Sequence, residues 1–173
     1  MLYKFKLIVV GDAAVGKTSL IRHFCEGFFK DTYRSTIGVS FLKKELSLGE
    51  DDVVLQVWDV GGQDLFQAVR PTYYRGAHGA LILFDVTNAQ TLSHVYTWHL
   101  DLTKTLPDLP ILMVGNKIDL PYDEEKVRTQ TKTMAEKLGL EYYFTSAKEG
   151  TNMNEIFTVV ATRMKDHVNE EVD

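Results

Sequence analysis

An apolar run over residues 5–10 leads into Gly11-Asp12-Ala13-Ala14-Val15-Gly16-Lys17-Thr18, and an amphipathic stretch follows over residues 19–24. A short buried strand that ends in G-x-x-x-x-G-K-[ST] and continues as a helix is a phosphate-binding P-loop. Each fixed position has a chemical reason. The glycines tolerate backbone angles that other residues resist, so successive N–H groups can curl around a phosphate. Lys17 sets a point charge beside the β- and γ-phosphates, and the Thr18 hydroxyl can ligate the Mg²⁺ that bridges them. The helix starting at Gly16 directs its positive end at the same anion. From average residue usage, the pattern alone arises by chance in about one chain of this length in a hundred. The strand before it and the helix after it remove most of those accidents.

The rest of the chain predicts how that loop is carried. Apolar runs over 40–48, 53–58, 80–84, 111–114 and 142–144 read as five further strands, the first two joined by a hairpin turn at Gly49-Glu50-Asp51-Asp52. Helical spacing relates Leu92, Val95, Tyr96, His99 and Leu102, and more loosely Val127, Met134, Ala135 and Leu138, which stop at Gly139 as a C-cap. The acidic Asp123-Glu124-Glu125 fits the first turn of that second helix. Met153, Ile156, Phe157, Val160 and Met164 give the last one. Strands alternating with helices predict an α/β fold of parallel units, one domain over residues 1–173, with the sheet between helix layers. Residues 27–38 and 61–79 are poorly periodic. In such a sheet, ligands bind beyond the carboxyl ends of the strands.

Composition bounds the function from outside. The 173 residues are 45% hydrophobic and 25% charged, as expected of a globular domain with a sizeable core. A net charge of −5 does not indicate a nucleic-acid-binding surface. The single cysteine, Cys25, excludes an internal disulfide and points to a reducing compartment, with the thiol itself expected to be buried and structural. The five histidines are scattered, and His94 and His99 are spaced unsuitably for one helical metal site. No apolar stretch reaches membrane-spanning length. Neither a signal peptide, nor a glycine after Met1, nor a C-terminal cysteine is present. A cytoplasmic monomer is expected, reaching a membrane only through a lipidated tail beyond residue 173.

Three more clusters follow strands. Trp58-Asp59-Val60-Gly61-Gly62-Gln63 puts an acidic residue where a Walker B aspartate holds Mg²⁺. The spacing from Asp59 to Gly62 lets a backbone N–H approach a γ-phosphate, and Gln63 could orient an attacking water. Asn116-Lys117-Ile118-Asp119 offers a carboxylate to the N1–H and 2-amino group of guanine, a donor pair that adenine lacks. Ser146-Ala147-Lys148 can present the Ala147 N–H to guanine O6. Taken singly, each of the last two also fits a helix-capping turn. Their order behind the P-loop favours a base site.

Together with Thr36-Ile37-Gly38, these motifs resemble the five guanine-nucleotide motifs of Ras-superfamily small GTPases, over essentially the whole chain. Ser35-Thr36-Ile37-Gly38-Val39, Tyr73-Tyr74-Arg75-Gly76-Ala77 and Phe84-Asp85-Val86-Thr87 look most like the Rab branch. The resemblance implies a six-stranded, mostly parallel sheet with one antiparallel edge strand and five helices on its two faces. It implies GTP or GDP with Mg²⁺ as ligands, a nucleotide-contacting stretch from Gly11 to Ser19, and metal ligands Thr18, Thr36 and Asp59. Phe29 matches the aromatic against guanine and Tyr33 the one over the phosphates. Thr36 senses the γ-phosphate, and Lys17, Thr36 and Gln63 carry hydrolysis. Effector, exchange-factor and GTPase-activating proteins would bind near residues 31–45 and 61–75.

The sequence departs from the family in three places. Where Rab proteins have W-D-T-A-G-Q-E-R, this chain has Trp58-Asp59-Val60-Gly61-Gly62-Gln63-Asp64-Leu65, a wording similar to the Arf branch. Ala13 stands where Ras has glycine, and the family's lipid anchors are missing. The expected function is a slowly hydrolysing molecular switch of the membrane-trafficking type. The alternative is a nucleotide-locked scaffold that binds GTP or GDP and does not cycle. Arg34, close to Thr36, reads as an exposed loop residue rather than an internal arginine finger.

Overall fold

The computed structural model describes residues 1–29, 38–62 and 67–172. Strand β1, Leu2–Gly11, shows why this chain builds three layers. From Leu7 to Val10 every side chain is buried, and successive side chains enter opposite faces of the sheet. Leu7 and Val9 join one apolar cluster, while Ile8 and Val10 join the other. A strand buried on both faces needs neighbours on both edges and helices on both sides.

Both conditions are met. The sheet order is β2-β3-β1-β4-β5-β6, with β1 parallel to β3 (Asp51–Val60) and to β4 (Gly79–Asp85). β5 (Ile111–Asn116) and β6 (Glu141–Phe144) continue the parallel array. β2 (Val39–Leu48) is the antiparallel edge strand. Its hairpin turn is shorter than the sequence suggests. Leu48 pairs with Asp51 and Ser47 with Asp52, leaving Gly49-Glu50 as the turn. Ser47 Oγ donates to Asp52 at 3.1 Å and Lys165 holds Asp51 at 3.1 Å, so two acidic residues that look like turn residues serve as strand residues.

Helices α1 (Lys17–Glu26) and α6 (Met153–Glu170) cover one face, with the Phe24 and Phe157 rings stacked 3.8 Å apart and nearly parallel. The other face carries α2 (Arg70–Tyr74), α3 (Ala89–Ser93), α4 (Val95–Thr105) and α5 (Glu124–Leu138). The helix expected around Leu92 and Leu102 is divided at His94 into α3 and α4, which follow one another through helical backbone angles. Counted together, they give the expected five helices among the described residues. α2 falls in the aperiodic region 61–79, a single turn too short to show a period. α5 begins and ends as its sequence predicts: the Asp123 side chain accepts the Lys126 N–H, and Gly139 closes the helix at φ +68°. No described helix is long and apolar enough to cross a membrane.

Because five strands run parallel, their carboxyl ends share one edge of the sheet. That edge carries Gly11, Asp59, Asn116 and, just beyond β6, Ser146.

Candidate functional site

β1 ends in backbone that only glycine accommodates. Gly11 has φ +145°, and a Cβ there would lie 2.3 Å from the Leu83 carbonyl oxygen. Ala14 at φ +66° and Gly16 at φ +98° place two more left-handed residues in the next five, the alternation that builds an anion-binding nest. Gly16 then caps α1, receiving the Leu20 N–H at 2.9 Å.

Lys17, in the first turn of α1, is 6% exposed, and its Nζ donates to the carbonyls of Gly11 and Asp12, both at 2.9 Å. Burial lowers its ammonium to about 8, against the opposing pull of the Asp59 and Asp12 carboxylates, and the Arg70 guanidinium adds to the lowering. A cation desolvated this far suits a polyanion held in the same loop. Next to it, Thr18 Oγ1 donates to Asp59 Oδ2 at 2.5 Å, so a hydroxyl from α1 meets a carboxylate from β3. Two hard oxygen donors converging beside a phosphate loop fit Mg²⁺, which is bound by few protein oxygens and the phosphates themselves. Ser19 follows, half-buried.

Gly62 lies directly against the loop. A Cβ on it would come within 2.4 Å of Gly11 O, 2.6 Å of Ala13 N and 2.7 Å of the Asp12 carbonyl carbon. The glycine spacing after Asp59 thus has a packing cause as well as a proposed phosphate contact.

From the far side, β5 props up the same loop. Asn116, 1% exposed, donates Nδ2 to Val15 O at 3.0 Å and accepts the Ala147 N–H at Oδ1, also at 3.0 Å. Lys117, at φ +73°, donates to Ala14 O at 2.7 Å and pairs with Asp85 at 2.8 Å. Ser146 Oγ donates to Asp119 Oδ1 at 2.7 Å, which ties together the two loops expected to hold a base. Asp119 is half-buried, and the Ala147 N–H donates to Asn116 Oδ1. Lys148 is exposed, and Phe29 is half-buried against the cluster beneath α1. Tyr33, Arg34, Thr36 and Gln63 lie outside the described residues.

Several partners here escape a reading of the sequence. His94 and Trp98 both bind the Asp12 carboxylate, at 2.6 and 2.9 Å. His23 of α1 meets Ala147 O at 2.5 Å. The one usable signal was Asp12 itself, a carboxylate inside a phosphate loop, which calls for a compensating donor from elsewhere in the chain.

The chain matches the model of the Ras family over residues 6–166. It is 38% identical to the Ras-related protein Rab-1 of Theileria annulata over 170 residues, covering 97% of this chain and 77% of the relative. With the Ras-related protein Rab-21 of Mus musculus it shares 38% over 163 residues, 94% of this chain and 73% of the relative. The GTP-binding protein YPTM2 of Zea mays is 36% identical over 167 residues, 96% and 82% of the two chains. A P-loop at the end of β1, a Thr18–Asp59 pair and a six-stranded sheet with one antiparallel edge agree with these matches. The chain belongs to the Ras family, as a Rab-like small GTPase that binds GTP or GDP with Mg²⁺ and hydrolyses GTP as a molecular switch.

Proposed function

We propose that residues 1–173 form one G domain whose site residues divide the work as follows. Gly11 through Ser19 enclose the phosphates, and Lys17 balances their charge. Thr18, Thr36 and Asp59 hold Mg²⁺, which when bound neutralises charge on the β- and γ-phosphates. Asn116, Lys117, Asp119 and the Ser146-Ala147-Lys148 turn take the guanine, with Phe29 against the base and Tyr33 over the phosphates. Gln63 orients the water that attacks the γ-phosphorus, giving GDP and inorganic phosphate. The observation that carries this reading is the buried Lys17 ammonium, held by two carbonyls of its own loop beside the Thr18–Asp59 pair.

The γ-phosphate would order the segments around residues 31–39 and 61–75, and its loss would release them. Partners read those segments. An aromatic patch joins the two: Phe41, 47% exposed, stacks on Trp58 at 5.0 Å, and Tyr73 meets the same indole at 6.4 Å. An exposed Phe41 beside the half-buried Trp58 and Tyr73 favours a protein partner. The Rab names among the relatives support a role in membrane trafficking, whereas the Arf-like wording of residues 58–64 sets the second segment apart from other Rab-like chains.

Single-turnover hydrolysis of bound GTP, at saturating Mg²⁺, tests the assignment. The unmodified chain should turn over on the order of 10⁻⁴ to 10⁻³ s⁻¹ without an activating protein. Gln63→Leu should be slower by roughly tenfold or more, at least about 1.4 kcal/mol of transition-state stabilisation. Identical, measurable rates would remove Gln63 from the mechanism. No hydrolysis in either would favour the locked scaffold.

A further inference from the structure

Asp12 puts a negative charge inside a loop built for phosphate, a placement that costs affinity unless the carboxylate is held and compensated. It is held from α3 and α4. Oδ2 lies 2.6 Å from His94 Nδ1 and Oδ1 accepts the indole N–H of Trp98 at 2.9 Å. A carboxylate can only accept, so His94 presents its Nδ1–H. Both oxygens are engaged by donors that belong to neither the loop nor the nucleotide motifs.

The backbone of the same residue has a second task. The Asp12 carbonyl is one of the two that receive Lys17 Nζ, and the Asp12–Ala13 peptide is the surface on which Gly62 rests. Side chain and carbonyl of Asp12 therefore act as two ends of one strut, from the α3–α4 junction to the P-loop lysine. The strut is itself braced. Trp98 is 6% exposed, and the Arg70 guanidinium lies 4.3 Å from the centre of its ring, within 3.7 Å of Asp101, which also accepts the Tyr74 hydroxyl at 2.6 Å. Arg70 opens α2, the element that follows residues 63–66.

We infer that His94 and Trp98 are positioning residues for nucleotide retention: by fixing the Asp12 carboxylate they set the peptide that places Lys17 against the phosphates. The inference rests on the P-loop reading above and adds two residues that touch no nucleotide motif. A bidentate clamp of this kind restrains the loop in the orientation that binding requires, which shows chiefly as slow release.

The full chain, loaded with fluorescent GDP and chased with excess GDP in Mg²⁺, provides the test. Trp98→Phe keeps an aromatic ring beneath Arg70 while removing the N–H along with part of the indole; His94→Leu deletes the other donor. Each should release GDP roughly three- to tenfold faster. His94→Asn, which returns an N–H donor, should release within about twofold of the unmodified chain. Asp12→Ala should behave as the combined His94→Leu and Trp98→Phe variant, with Trp98→Phe adding nothing further on that background. Val160→Ala, a core truncation in α6 that leaves the Asp12 clamp intact, serves as the control for lost stability and should leave release unchanged. Unchanged release in the single variants, or equal acceleration by Val160→Ala, would overturn the inference while leaving the site reading intact. If the unmodified chain retained no GDP, the site reading would fall and the inference with it.

Discussion

Lys17, Thr18 and Asp59 place a cation, a hydroxyl and a carboxylate beside a single turn of loop, each poor at its task alone. The ammonium is taken out of water and satisfied by backbone carbonyls; the hydroxyl and carboxylate are joined at 2.5 Å. Replacing Thr18 by Asn exchanges a compact oxygen donor for a bulkier amide at the proposed Mg²⁺ position beside Asp59. GTP affinity measured with Mg²⁺ should fall at least about tenfold, and GDP affinity less. Because Thr18 is only half-buried and adds little to the core, the variant should unfold near the same temperature as the parent. Unchanged GTP affinity by titration would take Thr18 out of the metal site. Cys25 is half-buried rather than buried as expected, and burial pushes its thiol up to about 11, away from the thiolate that reactivity needs.

The elements show how far local pattern reaches. Doubly buried strands such as Leu7 to Val10 are legible because a continuous apolar run has few other uses, and α5 was bounded by its own caps. Three features are not legible, each for its own reason. Asp51 and Asp52 look like turn residues until Lys165 and Ser47, distant or across the hairpin, take up their carboxylates. α2 is one turn long and too short for periodicity. The break at His94 leaves the backbone helical, so no glycine or proline announces it. Glycine within a strand has a clearer consequence. Gly115 of β5 leaves no room for a Cβ, which would stand 2.7 Å from Phe84 and 2.8 Å from Phe144. Gly115→Ala should cost about 1–3 kcal/mol by urea unfolding, since both rings must shift within a packed layer. A cost below about 0.5 kcal/mol would show that the layer yields easily.

On the scale of the whole molecule, two apolar clusters grip the sheet from both faces and leave its carboxyl edge to function. The motifs on that edge are legible because each is contiguous: a loop directly follows the strand that feeds it. Contacts between the motifs are not. Asp12 with His94, Lys117 with Asp85, and Ala147 with both Asn116 and His23 join residues tens of positions apart, and no spacing rule announces them. These loops are proposed to form one guanine-nucleotide site. Calorimetric titration of the nucleotide-free chain with GDP and with ADP, in Mg²⁺, tests it most directly. A carboxylate at Asp119 that pairs with the guanine N1–H and 2-amino groups predicts GDP tighter by roughly a hundredfold or more. Asp119→Asn should shift the preference towards the xanthine nucleotide. Equal affinity for GDP and ADP in the unmodified chain would contradict the account.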